Sequence, residues 1–177
     1  MFDGQNVFFD DNATYGKSWG VGRYLNYTKT PLIVVALECN THPDNGRLSE
    51  YSPFYYNPGG EWGGPYEARA EETMQWYIHN LKPYIDKRFR TLTDREHTFI
   101  GGSSMGGLMS LYAAVRYNRW FSKAACLSST IGPCMEDFRE DIVRCDISAD
   151  TRVYLSWGSE EGGGSKMYPR CRNCFLL

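Results

Sequence analysis

Four short apolar runs punctuate the chain: Leu32–Glu38, Thr98–Gly101, Ala124–Ser128 and Arg152–Trp157. Their hydrophobicity is continuous rather than alternating, which predicts parallel strands covered on both faces. Between them the period changes. From Tyr66 to Phe89 the apolar positions Met74, Ile78, Leu81 and Ile85 recur at spacings of four, three and four, with charges on the remaining positions, so a helix is expected. Pro83 should kink or break it, because proline has no N–H to donate and its ring crowds the preceding turn. A second, more apolar helix is expected over Gly106–Tyr117. Strands alternating with helices imply an α/β domain built on a parallel sheet.

The stretch 39–65 is rich in Asn, Pro, Gly and Tyr and follows the first expected strand. A loop of this length inside a domain is usually functional. Its aromatic part, residues 51–66, includes Tyr51, Phe54, Tyr55, Tyr56 and Trp62 and is a candidate cover for a substrate. No internal repeat or second domain boundary is visible, so 1–177 reads as one domain. Residues 162–177 lack periodicity and read as a tail outside the fold.

Composition narrows the function classes. A net charge of −2 leaves no basic footprint for nucleic acid or anionic membrane. No apolar run reaches membrane-spanning length, and the first residues lack the basic and apolar regions of a signal peptide, which predicts a cytoplasmic protein. Of six cysteines, only Cys171 and Cys174 have metal or redox spacing, with no second ligand pair near them, so neither metal nor organic cofactor is expected.

The chemistry concentrates in Gly102-Ser103-Ser104-Met105-Gly106, a G-x-S-x-G match directly after a strand and directly before a helix. A serine at such a tight turn projects its hydroxyl beyond the sheet edge. The next amide, on Met105, then lies at a helix N-terminus, where a developing oxyanion is stabilised. A Walker phosphate loop would need Gly-Lys-Ser/Thr, which is absent. Ser104 is therefore the candidate nucleophile; its neighbour Ser103 lacks the symmetric glycine spacing.

Three segments together carry a family resemblance: FDGQNVF at Phe2–Phe8, LKPYIDKRFRT at Leu81–Thr91 and GGSSMGGLMSLYAA at Gly101–Ala114. The chain resembles the serine esterase family that includes esterase D, S-formylglutathione hydrolase, enterochelin esterase and some feruloyl esterases. It is most similar to bacterial cytosolic members that pair DGQN with an RLSEYSPF-like segment, here Arg47–Phe54. The resemblance implies the α/β-hydrolase fold, a mostly parallel sheet with helices on both faces, and hydrolysis of a small-molecule ester. Some members are acyltransferases, and that alternative stays open. The resemblance also implies a second oxyanion amide on Gln5, after the Asp3-Gly4 pair. It places the triad acid three residues after Gly158, on Glu161, with Glu160 as fallback.

The order Ser, acid, His demands a histidine after Glu161, and none of the last 16 residues is one. His97 precedes the strand leading to Ser104, about 13 Å away along four strand residues. His79 lies roughly 18 Å along a helix from the catalytic edge. His42 lies on the correct edge but in the wrong chain order. Met1-Phe2 reads as the tip of a strand that runs between Leu32–Glu38 and Thr98–Gly101. The sequence thus reads as an incomplete esterase domain, lacking the first strands, the last strand and helix, and the triad base. A dead fragment is the third reading. On this view the structure should show a gap beside Thr98–Gly101 or a displaced Asp3-Gly4 turn.

Overall fold

The structure is a computed structural model, and it describes residues 1–161 apart from 45, 58, 60–62, 159 and 160. Helices α1 (Val21–Thr28), α2 (Gly46–Glu50), α3 (Ala70–Trp76) and α4 (Lys82–Arg88) precede strand β1 (Phe99–Ser103). Helix α5 (Met105–Arg116), strand β2 (Lys123–Leu127), helix α6 (Met135–Arg144) and strand β3 (Arg152–Ser156) follow. The strands form a parallel sheet in the order β1-β2-β3, with Gly102 opposite Cys126 and Cys126 opposite Leu155.

Three of the four expected strands are thus present within two residues of their expected bounds. Leu32–Glu38 is not a ladder strand. Only its last residues find a backbone partner, and that partner is the start of the chain. The Met1 amino group donates to Val35 O at 2.6 Å, Leu37 N to Met1 O at 3.3 Å and Gly4 N to Leu37 O at 2.6 Å. On its other side Phe2 N donates to Gly101 O at 3.0 Å. The Asp3-Gly4 turn is therefore in place, not displaced, and the chain start fills the space beside the end of β1. Farther from that end Leu32, Ile33 and Phe99 are 45%, 48% and 44% exposed, so the two runs are not joined there.

The expected helix over Tyr66–Phe89 begins later, at Ala70, because Tyr66 is held in an antiparallel bridge with Tyr56. Pro83 does not break it. A π-helical turn at Tyr77–Leu81 joins α3 to α4 and takes up the irregularity just ahead of the proline, which sits in the first turn of α4. Met74 and Ile78 are buried as the periodicity requires.

Helix α5 packs against both β1 and β2, and every residue from Met105 to Val115 is buried, which explains its all-round apolar sequence. Leu108 and Leu111, each 1% exposed, contribute about 1.5–3 kcal/mol apiece by burial. Arg116 ties α5 to α6 through two hydrogen bonds to the buried Asp141, at 2.7 and 2.5 Å. The core continues through Phe2, Tyr51, Met74, Ile131 and Phe138, so the chain start and the 51–54 segment are built into it.

Candidate active site

Ser104 stands between the last residue of β1 and the first of α5, with φ 54° and ψ −120°. Few non-glycine residues adopt this backbone, and it persists only where the surroundings over-determine it. Here they do: Ser104 N donates to Leu127 O at 2.9 Å, while Ser104 O accepts from Leu108 N at 3.0 Å and Thr130 N at 3.3 Å. The turn also requires its flanking glycines. A Cβ on Gly102 would lie 2.8 Å from the Gly106 backbone, and one on Gly106 would lie 3.0 Å from Phe2 Cβ and 3.1 Å from Asp3 Oδ2. The Ser104 side chain is exposed, with Oγ 3.3 Å from Thr130 Oγ1. Ser103 instead belongs to β1, in register with Leu127.

Met105 opens α5, so its N–H is among the first-turn amides that have no acceptor within the helix. Phe2 and Asp3 pack directly on Gly106 in the same turn. This brings the Asp3-Gly4-Gln5 corner against the elbow. Asp3 has φ 54° and ψ 55°, and Gly4–Asn6 forms a short 3₁₀ turn. The Gln5 side chain is anchored at both ends: Oε1 accepts from Cys39 N at 3.4 Å and Nε2 donates to Cys39 Sγ at 3.3 Å. Burial pushes the Cys39 thiol pKa up, only partly offset by that Gln5 hydrogen bond, so it stays protonated and acts as a packing and accepting group.

Glu161 lies beyond β3. Its Oε1 accepts from Ser128 Oγ at 2.8 Å and from Gly158 N at 3.0 Å. Ser128 follows β2 directly, has φ 45° and is fixed by its own N–H to Ser156 O at 2.7 Å. Ser104, Ser128 and Glu161 thus follow the C-terminal ends of β1, β2 and β3 in turn, the edge where α/β sheets gather their ligands.

Comparison with known proteins identifies the family and the fold. A family described as "Putative esterase" matches residues 3–170. The chain belongs to this esterase family. It is 28% identical over 132 residues to the uncharacterized protein YbbA of Bacillus subtilis, covering 74% of this chain and 50% of that protein. It is 35% identical over 103 residues to esterase Rv1288 of Mycobacterium tuberculosis, covering 58% and 19%. The chain therefore spans half the length of the first of these relatives and about a fifth of the second. Among solved structures, the BES protein from Bacillus cereus superposes with a TM-score of 0.66 at 18% identity, covering 98% of this chain and 64% of that one. Siderophore hydrolase EstA from Aspergillus nidulans gives 0.63 at 19%, covering 98% and 63%. These likenesses establish the α/β-hydrolase fold, of which three strands are described here.

In this esterase-family chain Ser104, Met105, the Asp3-Gly4-Gln5 corner and Glu161 lie at one sheet end, while Glu160, Trp62, Cys171, Cys174 and the stretch 162–177 lie outside the described residues. None of the three histidines makes a hydrogen bond with Ser104. His42 interacts locally, accepting on Nδ1 from Asp44 N at 3.3 Å. His97 Nδ1 is 2.8 Å from Asp94 Oδ1, and His79 meets Trp120 edge to face. Sequence reasoning missed Thr130 and Ser128, which sit in no motif. It also left the RLSEYSPF segment without a role, although its pairing with DGQN was visible. The structure joins the two segments: Arg47 Nε and Nη2 donate to the Asp3 carboxylate at 2.6 and 2.8 Å.

Proposed function

We propose that the protein hydrolyses carboxylic esters of small molecules through an acyl-enzyme on Ser104. The observation that carries this reading is the backbone of Ser104, held at positive φ between β1 and α5 with its hydroxyl exposed. Ser104 Oγ attacks the ester carbonyl carbon and its proton passes to a base. The negative charge on the carbonyl oxygen is held by the Met105 and Gln5 amides. Collapse of the tetrahedral adduct expels the alcohol, which takes the proton from the base. Water then attacks the acyl-enzyme and releases the acid.

Glu161 is the carboxylate that orients the base, and the Ser128 and Gly158 contacts support its fixed position. None of the 177 residues follows Glu161 as a histidine, so no residue here is assigned to the proton relay. Tyr51 and Phe54, expected from sequence to cover the ester, pack into the core instead.

A fluorophosphonate probe on the full-length protein tests the reading. Labelling at Ser104, together with loss of labelling and of p-nitrophenyl acetate turnover in Ser104→Ala, is expected. Label on Ser103, or turnover that survives in the Ala variant, would sink it. The 177-residue chain alone should give no more than trace turnover, because serine without a base is a weak nucleophile.

A further inference from the structure

We infer that Arg47 is a positioning residue for ester hydrolysis, acting through Asp3 on the oxyanion corner. The inference rests on the proposed role of the Gln5 amide. Asp3 occupies left-handed backbone, φ 54°, without being glycine, and it is 4% exposed. Something must hold it there. The Asp3 carboxylate receives both arms of the Arg47 guanidinium, and the Asp3 N–H donates to the Tyr51 hydroxyl at 3.3 Å. Both contacts come from the single segment 47–51. Tyr51 is itself fully buried, edge-on to Phe2 at 5.1 Å and under the Arg47 guanidinium at 5.4 Å.

The held carboxylate faces the elbow, since a Cβ on Gly106 would meet Asp3 Oδ2 at 3.1 Å. Gln5 is two residues from Asp3, and Gly4 between them is wedged against the Ala36-Leu37 backbone, where a Cβ would come within 2.6 Å. A tilt of Asp3 therefore has nowhere to go except into the Gln5 peptide. The fork geometry matters because two parallel N–H bonds fix the plane of the carboxylate, which a point charge cannot do. Arg47 does not touch the substrate in this scheme. It sets where the amide points, and in doing so links the RLSEYSPF segment to the nucleophile turn.

The test uses the full-length protein and the variants Arg47→Met, Arg47→Lys and Asp3→Asn, each checked for native near-UV circular dichroism. Turnover of p-nitrophenyl acetate is measured alongside inhibition by phenylboronic acid, whose tetrahedral serine adduct occupies the oxyanion position. For Arg47→Met we expect kcat to fall about tenfold or more, below the 10²–10³ lost on removing a donor outright, with KM within about twofold. Boronate affinity should fall by the same factor as kcat, and Arg47→Lys should recover part of both. A merely structural ion pair would lower the melting temperature and leave kcat of the folded variant alone. Native-like Arg47 variants with wild-type kcat and boronate affinity overturn the inference while Ser104→Ala is inactive. Should Arg47→Met fail to fold, Arg47→Lys decides by the same two readouts. An active Ser104→Ala would instead overturn the esterase reading, and this inference with it.

Discussion

Ser128 donates its hydroxyl hydrogen to Glu161 at 2.8 Å from a backbone held at φ 45°. The carboxylate oxygen that receives it also takes the Gly158 N–H, and a Cβ at Gly158 would come within 2.9 Å of that same oxygen. A β2-end hydroxyl and a β3-end amide thus clamp one oxygen of the candidate acid, leaving the other oxygen for a base. If Glu161 orients the base, Glu161→Gln should lower kcat of the full-length protein by roughly 10²–10⁴ with KM little changed. Ser128→Ala should lower it less, since the Gly158 amide remains. Steady-state kinetics of the two variants check this, and a larger loss in Ser128→Ala would refute the ordering.

Close approach at the elbow predicts opposite effects for two glycines. Gly102→Ala forces a methyl to 2.8 Å from the Gly106 backbone, which cannot swing aside as a side chain would. A loss of about 1–3 kcal/mol in stability is expected, together with loss of activity. Gly22→Ala, inside α1 with nothing nearer than Phe8 Cδ1 at 3.8 Å, should be neutral or stabilising by about 0.5–1 kcal/mol. Urea titrations of both variants read these values.

Asp141, 3% exposed, carries the contact between α6 and α5 through Arg116. The isosteric Asp141→Asn removes the charge and leaves the guanidinium partly solvated, at 43% side-chain exposure. We expect a cost of about 1–3 kcal/mol, smaller than for a fully buried pair. Thermal melts of the variant would show it; an unchanged melting temperature would rule it out.

Glu71 predicts a feature of the acid limb of stability. Burial raises its pKa, but hydrogen bonds from Gln75 at 2.8 Å and Tyr112 at 2.7 Å outweigh that and hold it below the ordinary 4.5. A depressed carboxylate stabilises the fold above its unfolded pKa, and the contribution is lost as pH falls through the folded one. Glu71→Gln should therefore be less stable at neutral pH, with the difference shrinking below about pH 4.5. A pH series of denaturant midpoints for both proteins would expose a constant difference, which would contradict this origin.

The parts legible in sequence were those written in local code. The apolar run at Thr98–Gly101, the glycines around Ser104 and the apolar helix after it specify strand, turn and helix within a few residues of one another, and all three appear. The run at Leu32–Glu38 reads as a strand on its continuous hydrophobicity alone. Strand status depends on a partner, and only Val35–Leu37 meet one. Likewise, its neighbours' spacing points Tyr66 to a helix, but its pairing with Tyr56 prevails. Arg47 with Asp3 and Ser128 with Glu161 join residues 44 and 33 positions apart, beyond the reach of any local pattern.

The π turn at Tyr77–Leu81 implies one residue more than an unbroken α-helix would need to cover the same distance. Its extra residue shifts the angular phase of everything downstream, so α4 presents a different side to the body than α3's seven-residue continuation would. Deleting a single residue inside it would restore regular winding and leave Lys82, Pro83 and Asp86 on their present faces, whereas an α-helix that kept the residue would turn them by roughly 100° together. That rotation would separate Lys82 from Thr93 O, now 2.8 Å away, and unfasten the connection that carries the chain toward β1. The wide turn is therefore what lets the extra residue stand without displacing that connection.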